Sequence, residues 1–174
     1  MKFLRIVAGV MILFLLSNHA YAEAVSVVSS LTCHKMRGSN KPFILALKQG
    51  ENLNQSIVQC ANDADLSGAS ISGLGTIKDP IFHYYDEATK KNVSKAFAGF
   101  FELVSLNGNI YFYKGRQDAH IHAAISNHQY QMYGGHLDAA TVGALAEITI
   151  VPLSGTIIKQ KDNATGFDLL VTGS

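Results

Sequence analysis

Short runs of apolar and small residues, punctuated by Gly, Ser, Asn and Asp, recur along most of this chain, the pattern of strands joined by turns. Pro42 to Lys48 (PFILALK) reads as the first strand, ended by Gly50. One segment keeps helical spacing instead. Asn52 is a candidate N-cap, and Leu53, Ile57, Cys60, Ala61 and Ala64 share one face of a helix reaching about Asp63. Gly68 to Ile77 is a strand of small residues; Ile81 to Tyr85 is a short one, followed by a polar turn over Asp86 to Asn92. Ala96 to Leu106 is a long strand, and Asn107-Gly108 predicts a two-residue hairpin into Asn109 to Tyr113. Ala119 to Ser126 and Tyr130 to Leu137 form the next pair, and a short helical turn is expected near Ala139 to Gly143. Ala146 to Leu153 comes next, and the last strands, Gly155 to Lys161 and Gly166 to Thr172, flank Asp162-Asn163-Ala164-Thr165. Six or more strands with one clear helix predict an α+β fold on a mainly antiparallel sheet.

The first 22 residues depart from this pattern and read as a signal peptide. Lys2 and Arg5 are the only charges, Ile6 to Leu16 are apolar, and Ala20-Tyr21-Ala22 supplies a small-x-small cleavage signature. The apolar run is shorter than the ~20 residues of a helical membrane span. A retained N-terminal anchor is the alternative. Cleavage would leave 12 basic and 13 acidic residues, a net charge of −1, because the segment holds two of the 14 basic residues and no acidic one. The rest of the chain fits an N-terminal arm over 23–40 and one domain over 41–174, in the periplasm or secreted. Lysines are scattered, and Lys90-Lys91-Lys95 is the only close cluster. Such a chain lacks the basic surface that drives phosphate binding, so nucleic acid is not an expected partner. Two cysteines remain, Cys33 and Cys60. In an oxidising compartment an even pair suggests a disulfide from the arm to the helix; the other reading is two buried small apolar residues.

The candidate chemistry lies late in the chain, in His120-Ile121-His122 and Gly134-Gly135-His136. Residues two apart on a strand face the same side, so His120 and His122 are neighbours. With Asn127-His128-Gln129 as the loop, Ser126 pairs with Tyr130 and His120 falls opposite His136. Only an odd loop length keeps His136 on that face. Three imidazoles and one open position suit an exchangeable or catalytic divalent transition metal such as zinc. The bland alternative is three polar residues on a solvated sheet. Glu102 and Glu147, acids within apolar strands, are possible supports or simply outward-facing residues. Arg116 and Lys114 are either exposed loop residues or cations that draw an anion to the same cleft. His34, His83 and His128 have no ligand-like spacing.

Gly99 to Ile110 (GFFELVSLNGNI), His120-x-His122, Gly134-Gly135-His136-Leu137 and Glu147 in Ala-Glu-Ile together resemble the plants-and-prokaryotes conserved (PPC) domain family. Gly50-Glu51-Asn52-Leu53 and Gly73-Leu74-Gly75 fit the same pattern, although the glycine register starts one residue from the commonest form. The resemblance covers about Lys41 to Thr172. It implies an antiparallel sheet with flanking helices, a homotrimer, and the three histidines gathered in a cleft. Prokaryotic members often carry a DNA-binding label. This chain departs from it by lacking an Arg-Gly-Arg-Pro hook, by its near-zero charge and by the export signal. The expected function is therefore an exported trimeric binding module with a three-histidine metal or small-ligand site. A metal-dependent hydrolase using Glu102 or Glu147 as general base is the second reading, and DNA binding the third.

Overall fold

The computed structural model describes residues 32–173. Residues 1–22, which the sequence reading takes as a signal peptide, and 23–31 of the N-terminal arm lie outside the described residues. In chain order the elements are β1 (Phe43–Lys48), α1 (Leu53–Asp63), β2 (Ala69–Asp86), β3 (Lys91–Ala96), β4 (Phe100–Tyr113), β5 (Arg116–Ser126), β6 (Met132–Pro152), β7 (Thr156–Lys161) and β8 (Asp168–Gly173). The mainly antiparallel α+β architecture is the one that six or more strand-like runs and one clear helix predict. β6 is its hub, pairing with β5 at its start, β2 along most of its length and β1 near its end, always antiparallel. β2 also pairs with β4, so β2, β6, β5 and β4 close into a ring.

Alternation drives the packing. In β1 the odd positions Phe43, Leu45 and Leu47 are buried and the even ones Ile44 and Ala46 exposed. Asn52 caps α1 by accepting from the Gln55 amide at 3.0 Å, and Leu53, Ile57, Cys60 and Ala61 turn into the core. There they join Leu45, Ile71, Ile121, Leu137, Ile148 and Ile150 in one cluster. Burying each large aliphatic side chain contributes about 1.5–3 kcal/mol. Cys33 and Cys60 are disulfide-bonded, which ties the helical residues 32–35 to α1.

Three local expectations fail, each for a long-range reason. Asn107-Gly108 is not a hairpin: β4 runs straight through it, with Asn107 paired to both Ser72 and His122. A Cβ at Gly108 would run into the His120 carbonyl oxygen, so this glycine serves close strand approach. The real turn is Lys114-Gly115, whose φ values of 51° and 77° give the left-handed pair that a tight hairpin needs. Residues 139–143 are not helical either. Val142 exchanges backbone hydrogen bonds with Gly50 and Glu51 (3.0 and 2.8 Å), which holds β6 extended. Finally, the stretch from Ala96 is broken at Gly99 (φ 99°), while β2 continues through Asp79 and Pro80. Asp79 accepts the Gly99 amide at 2.8 Å and stitches the two irregularities together.

Candidate metal centre

β5 places His120 and His122 on one face because Ile121 between them is drawn into the core, 1% exposed. β6 then brings His136 directly opposite His122. The loop that sets this register is five residues, not three: Ser126 pairs with Met132. The Asn127 side chain accepts the amides of Gln129 and Gln131 at 2.9 and 3.0 Å, and Tyr130 takes φ 60°. Two extra residues slide the pairing by one position on each strand, so His122 rather than His120 faces His136. The loop length stays odd, so the face is preserved. Gly135, with φ 152°, lets β6 pass close to the His83 carbonyl, where a Cβ would sit 3.2 Å from that oxygen.

The three rings converge. Their centroids are 5.1 Å apart for His120 and His122, 4.8 Å for His120 and His136, and 5.4 Å for His122 and His136. Three imidazoles on a tetrahedral zinc, with Zn–N about 2.0–2.1 Å, would place ring centroids about 5 Å apart. Their candidate ligand atoms all lie within 4.8 Å of one another. Burial lowers the pKa of His136 to about 4, helped by the charges of His83 and His120. Burial also lowers that of His120, with the Lys159 ammonium the next cause. Both rings are therefore neutral at pH 7 and keep a free lone pair, the form that binds a divalent transition metal. The donor set fits such an ion.

A fourth histidine belongs to the constellation. In the β2–β6 ladder His83 pairs with His136, so His83, His136 and His122 form a row across three adjacent strands. His83 stacks on His136, with centroids 4.0 Å apart and planes 25° from parallel. Near-parallel rings do not direct their lone pairs at one point, which separates His83 from the convergent three. Its Nδ1 lies 2.7 Å from Asp138 Oδ1, and Asp138 is also 3.8 Å from His136 Nε2. His83, His136 and Asp138 make a second group with ligand-like spacing. Spacing rules miss His83 because its neighbours come from distant β6. Asp138 was within reach of the same i, i+2 rule, in His136-Leu137-Asp138.

A cavity of about 650 Å³ lies over this row, lined by His83, His120, His122 and His136 together with Lys159, Phe167 and Asp168. A second, of about 660 Å³, continues past His136 and Lys159 to Tyr111, Asp118, Asp138 and α1. Of the acids weighed from sequence, neither joins the groups of converging ligand atoms. Glu102 is exposed opposite Thr76 and Ser126. Glu147 is exposed opposite Ala46 and Leu74, in a shallow depression with Ile44 and Asn107. Lys114 and Arg116 sit at the β4–β5 turn, and neither lines either histidine cavity. The cation that does is Lys159.

The Plants and Prokaryotes Conserved domain, abbreviated PCC or PPC, matches residues 34–154. The chain belongs to that family. Among solved structures it is similar to a metal-containing protein from Archaeoglobus fulgidus, at 31% identity and TM-score 0.70, over 75% of this chain and 93% of that one. A PPC protein from Pyrococcus horikoshii shares 28% identity at TM-score 0.70, over 77% and 93%. A protein of Ralstonia eutropha, described as a DNA-binding candidate, shares 27% at TM-score 0.70, over 75% and 90%. A comparison with curated proteins gives no match.

Proposed function

We propose that this PPC-family protein is an exported, homotrimeric binding module that holds a divalent transition metal, zinc being the best fit, on His120, His122 and His136. The observation that carries this reading is the convergence of three imidazoles at about the spacing of a tetrahedral site, with no fourth protein ligand joining them among the described residues. The metal-containing relative from Archaeoglobus supports it. An ion there would act as a Lewis acid toward an oxygen ligand at its open position. The binding reading stands ahead of hydrolysis because Glu102 and Glu147, the general bases considered, lie outside the converging groups. The net charge of −1 after residue 22 weighs against DNA, despite the description of the Ralstonia relative.

Export is supported by the signal-like residues 1–22 and by the Cys33–Cys60 disulfide, which is at home in an oxidising compartment. Trimer formation is supported by exposed apolar residues Ile44, Leu74 and Val104, which share one depression. Native mass measurement of the mature protein tests the metal and the assembly at once. The expected result is three chains with one zinc each, and a trimer without metal when His120, His122 and His136 are all changed to Ala. A zinc content untouched by the triple change would overturn the site, and a monomer would overturn the assembly.

A further inference from the structure

β7 and β8 lie beyond residues 34–154, the segment that defines the family match, yet they wall the histidine cavity. The hairpin docks through the Phe112–Ile158 bridge, the Ile157 amide on the Ser67 carbonyl (2.9 Å), and Phe167 set edge-on against Tyr85 at 5.4 Å. It delivers Lys159 to the junction of the two cavities. Lys159 Nζ lies 5.0 Å from the Tyr111 ring centroid and 3.3 Å from its hydroxyl. Tyr111 is 2% exposed, and burial raises its pKa and keeps the hydroxyl protonated. Asp118 accepts from the Tyr111 hydroxyl and Asp168 from the Tyr113 hydroxyl, both at 3.4 Å, so Asp118 reaches the ammonium only through the Tyr111 hydroxyl. Among the described residues, no carboxylate is within ion-pair distance of Lys159. A half-buried ammonium with no carboxylate in direct contact, beside a cavity large enough for a small molecule, has donors free for an anionic ligand.

We propose that Lys159 recognises the carboxylate of a small monocarboxylate ligand whose second oxygen function reaches the histidine-held metal. This rests on the metal reading above and adds the ligand class. Charge selects the monoanion. Asp118, Asp138 and Asp168 line the same two cavities and oppose entry of a dianion such as phosphate. Lys159 and a bound dication together offset those three acids, so a second negative charge on a ligand adds repulsion and a monoanion is favoured over a dianion.

The test is calorimetric titration of the full mature chain, zinc-loaded and zinc-free, with 2- and 3-hydroxy monocarboxylates of three to five carbons. Their amides and inorganic phosphate serve as controls. At least one acid should bind the zinc-loaded protein, its amide should not, and phosphate should bind more weakly. Lys159→Met keeps the stem against Tyr111 and should weaken the acid about 10- to 100-fold. Lys159→Arg should restore part of the affinity, and Asp168→Asn should strengthen it. Zinc content measured on every sample separates a lost metal from a lost anion contact. If zinc is absent throughout, the metal reading fails, and binding of the acids that depends on Lys159 still upholds the anion site. Acid and amide binding alike, affinity indifferent to Lys159→Met, no acid bound in either form, or phosphate preferred would each overturn the proposal.

Discussion

In β1, β4, β5 and the inner part of β6, alternate side chains enter the core, whereas across β7 and β8 only Ile157 is buried. Both regions are alternating antiparallel strands, and both face the same cavity. The ring holds its histidines because every ligand strand is fastened from the other side by residues such as Ile121, Leu137 and Ile148. The hairpin carries Lys159 on few buried contacts, so its local opening energy is expected to be low. Rigidity falls where the proposed metal would need fixed donors, and the looser wall where the proposed ligand would have to fit.

Ile121→Ala should cause the largest loss. It removes a fully buried side chain between His120 and His122 and should cost about 2–5 kcal/mol in urea unfolding, with the proposed zinc content falling as well. A cost under about 1 kcal/mol would mean that the ring does not fix the histidines. Gly108→Ala comes next, at about 1–3 kcal/mol, because its Cβ meets the His120 carbonyl oxygen. Gly115→Ala, at an open turn with φ 77°, should cost only about 1–2 kcal/mol and leave metal binding intact.

The pH dependence of the metal-free protein is a fourth check. His136 has a folded pKa of about 4 against an ordinary 6.5, so the unfolded chain binds the extra proton between those values. The stabilisation is complete above about 6.5 and is lost as pH falls toward 4. The thermal midpoint should therefore drop between pH 7 and pH 5, and His136→Gln should flatten the drop. Leu169→Ala on the hairpin should have the smallest effect, within about 0.5 kcal/mol by the same urea assay. A large loss there would make β8 part of the structural core and remove the contrast with the ring.

The sheet, the helix and the three-histidine face were legible because each follows from local runs, helical spacing and one parity argument. Parity was robust: the Asn127 loop is two residues longer than its composition suggests, and the face survives. Register was not robust. It depended on an Asn side chain folding over its own loop, which spacing does not announce. The Asn107-Gly108 signal failed because β2 and β5 hold β4 from both sides and override a local turn preference. His83 was illegible for a related reason. Its partner lies across a ladder whose irregularities between Lys78 and Phe82 decide which residues meet. Lys159 was hidden by distance, since nothing near it in sequence points toward the histidines.

The central position of β6 also governs the order in which the molecule can assemble. Phe43 pairs with Ile150, more than a hundred residues away, and β2 likewise meets β6 only across a long separation. β1 cannot find its place in the sheet until nearly the whole chain is available. Closing such distant contacts is slow compared with forming local ones. Folding is therefore expected to begin with the neighbouring β4 and β5 and to end when β1 docks, a sequence that strand-by-strand hydrogen exchange during refolding would record.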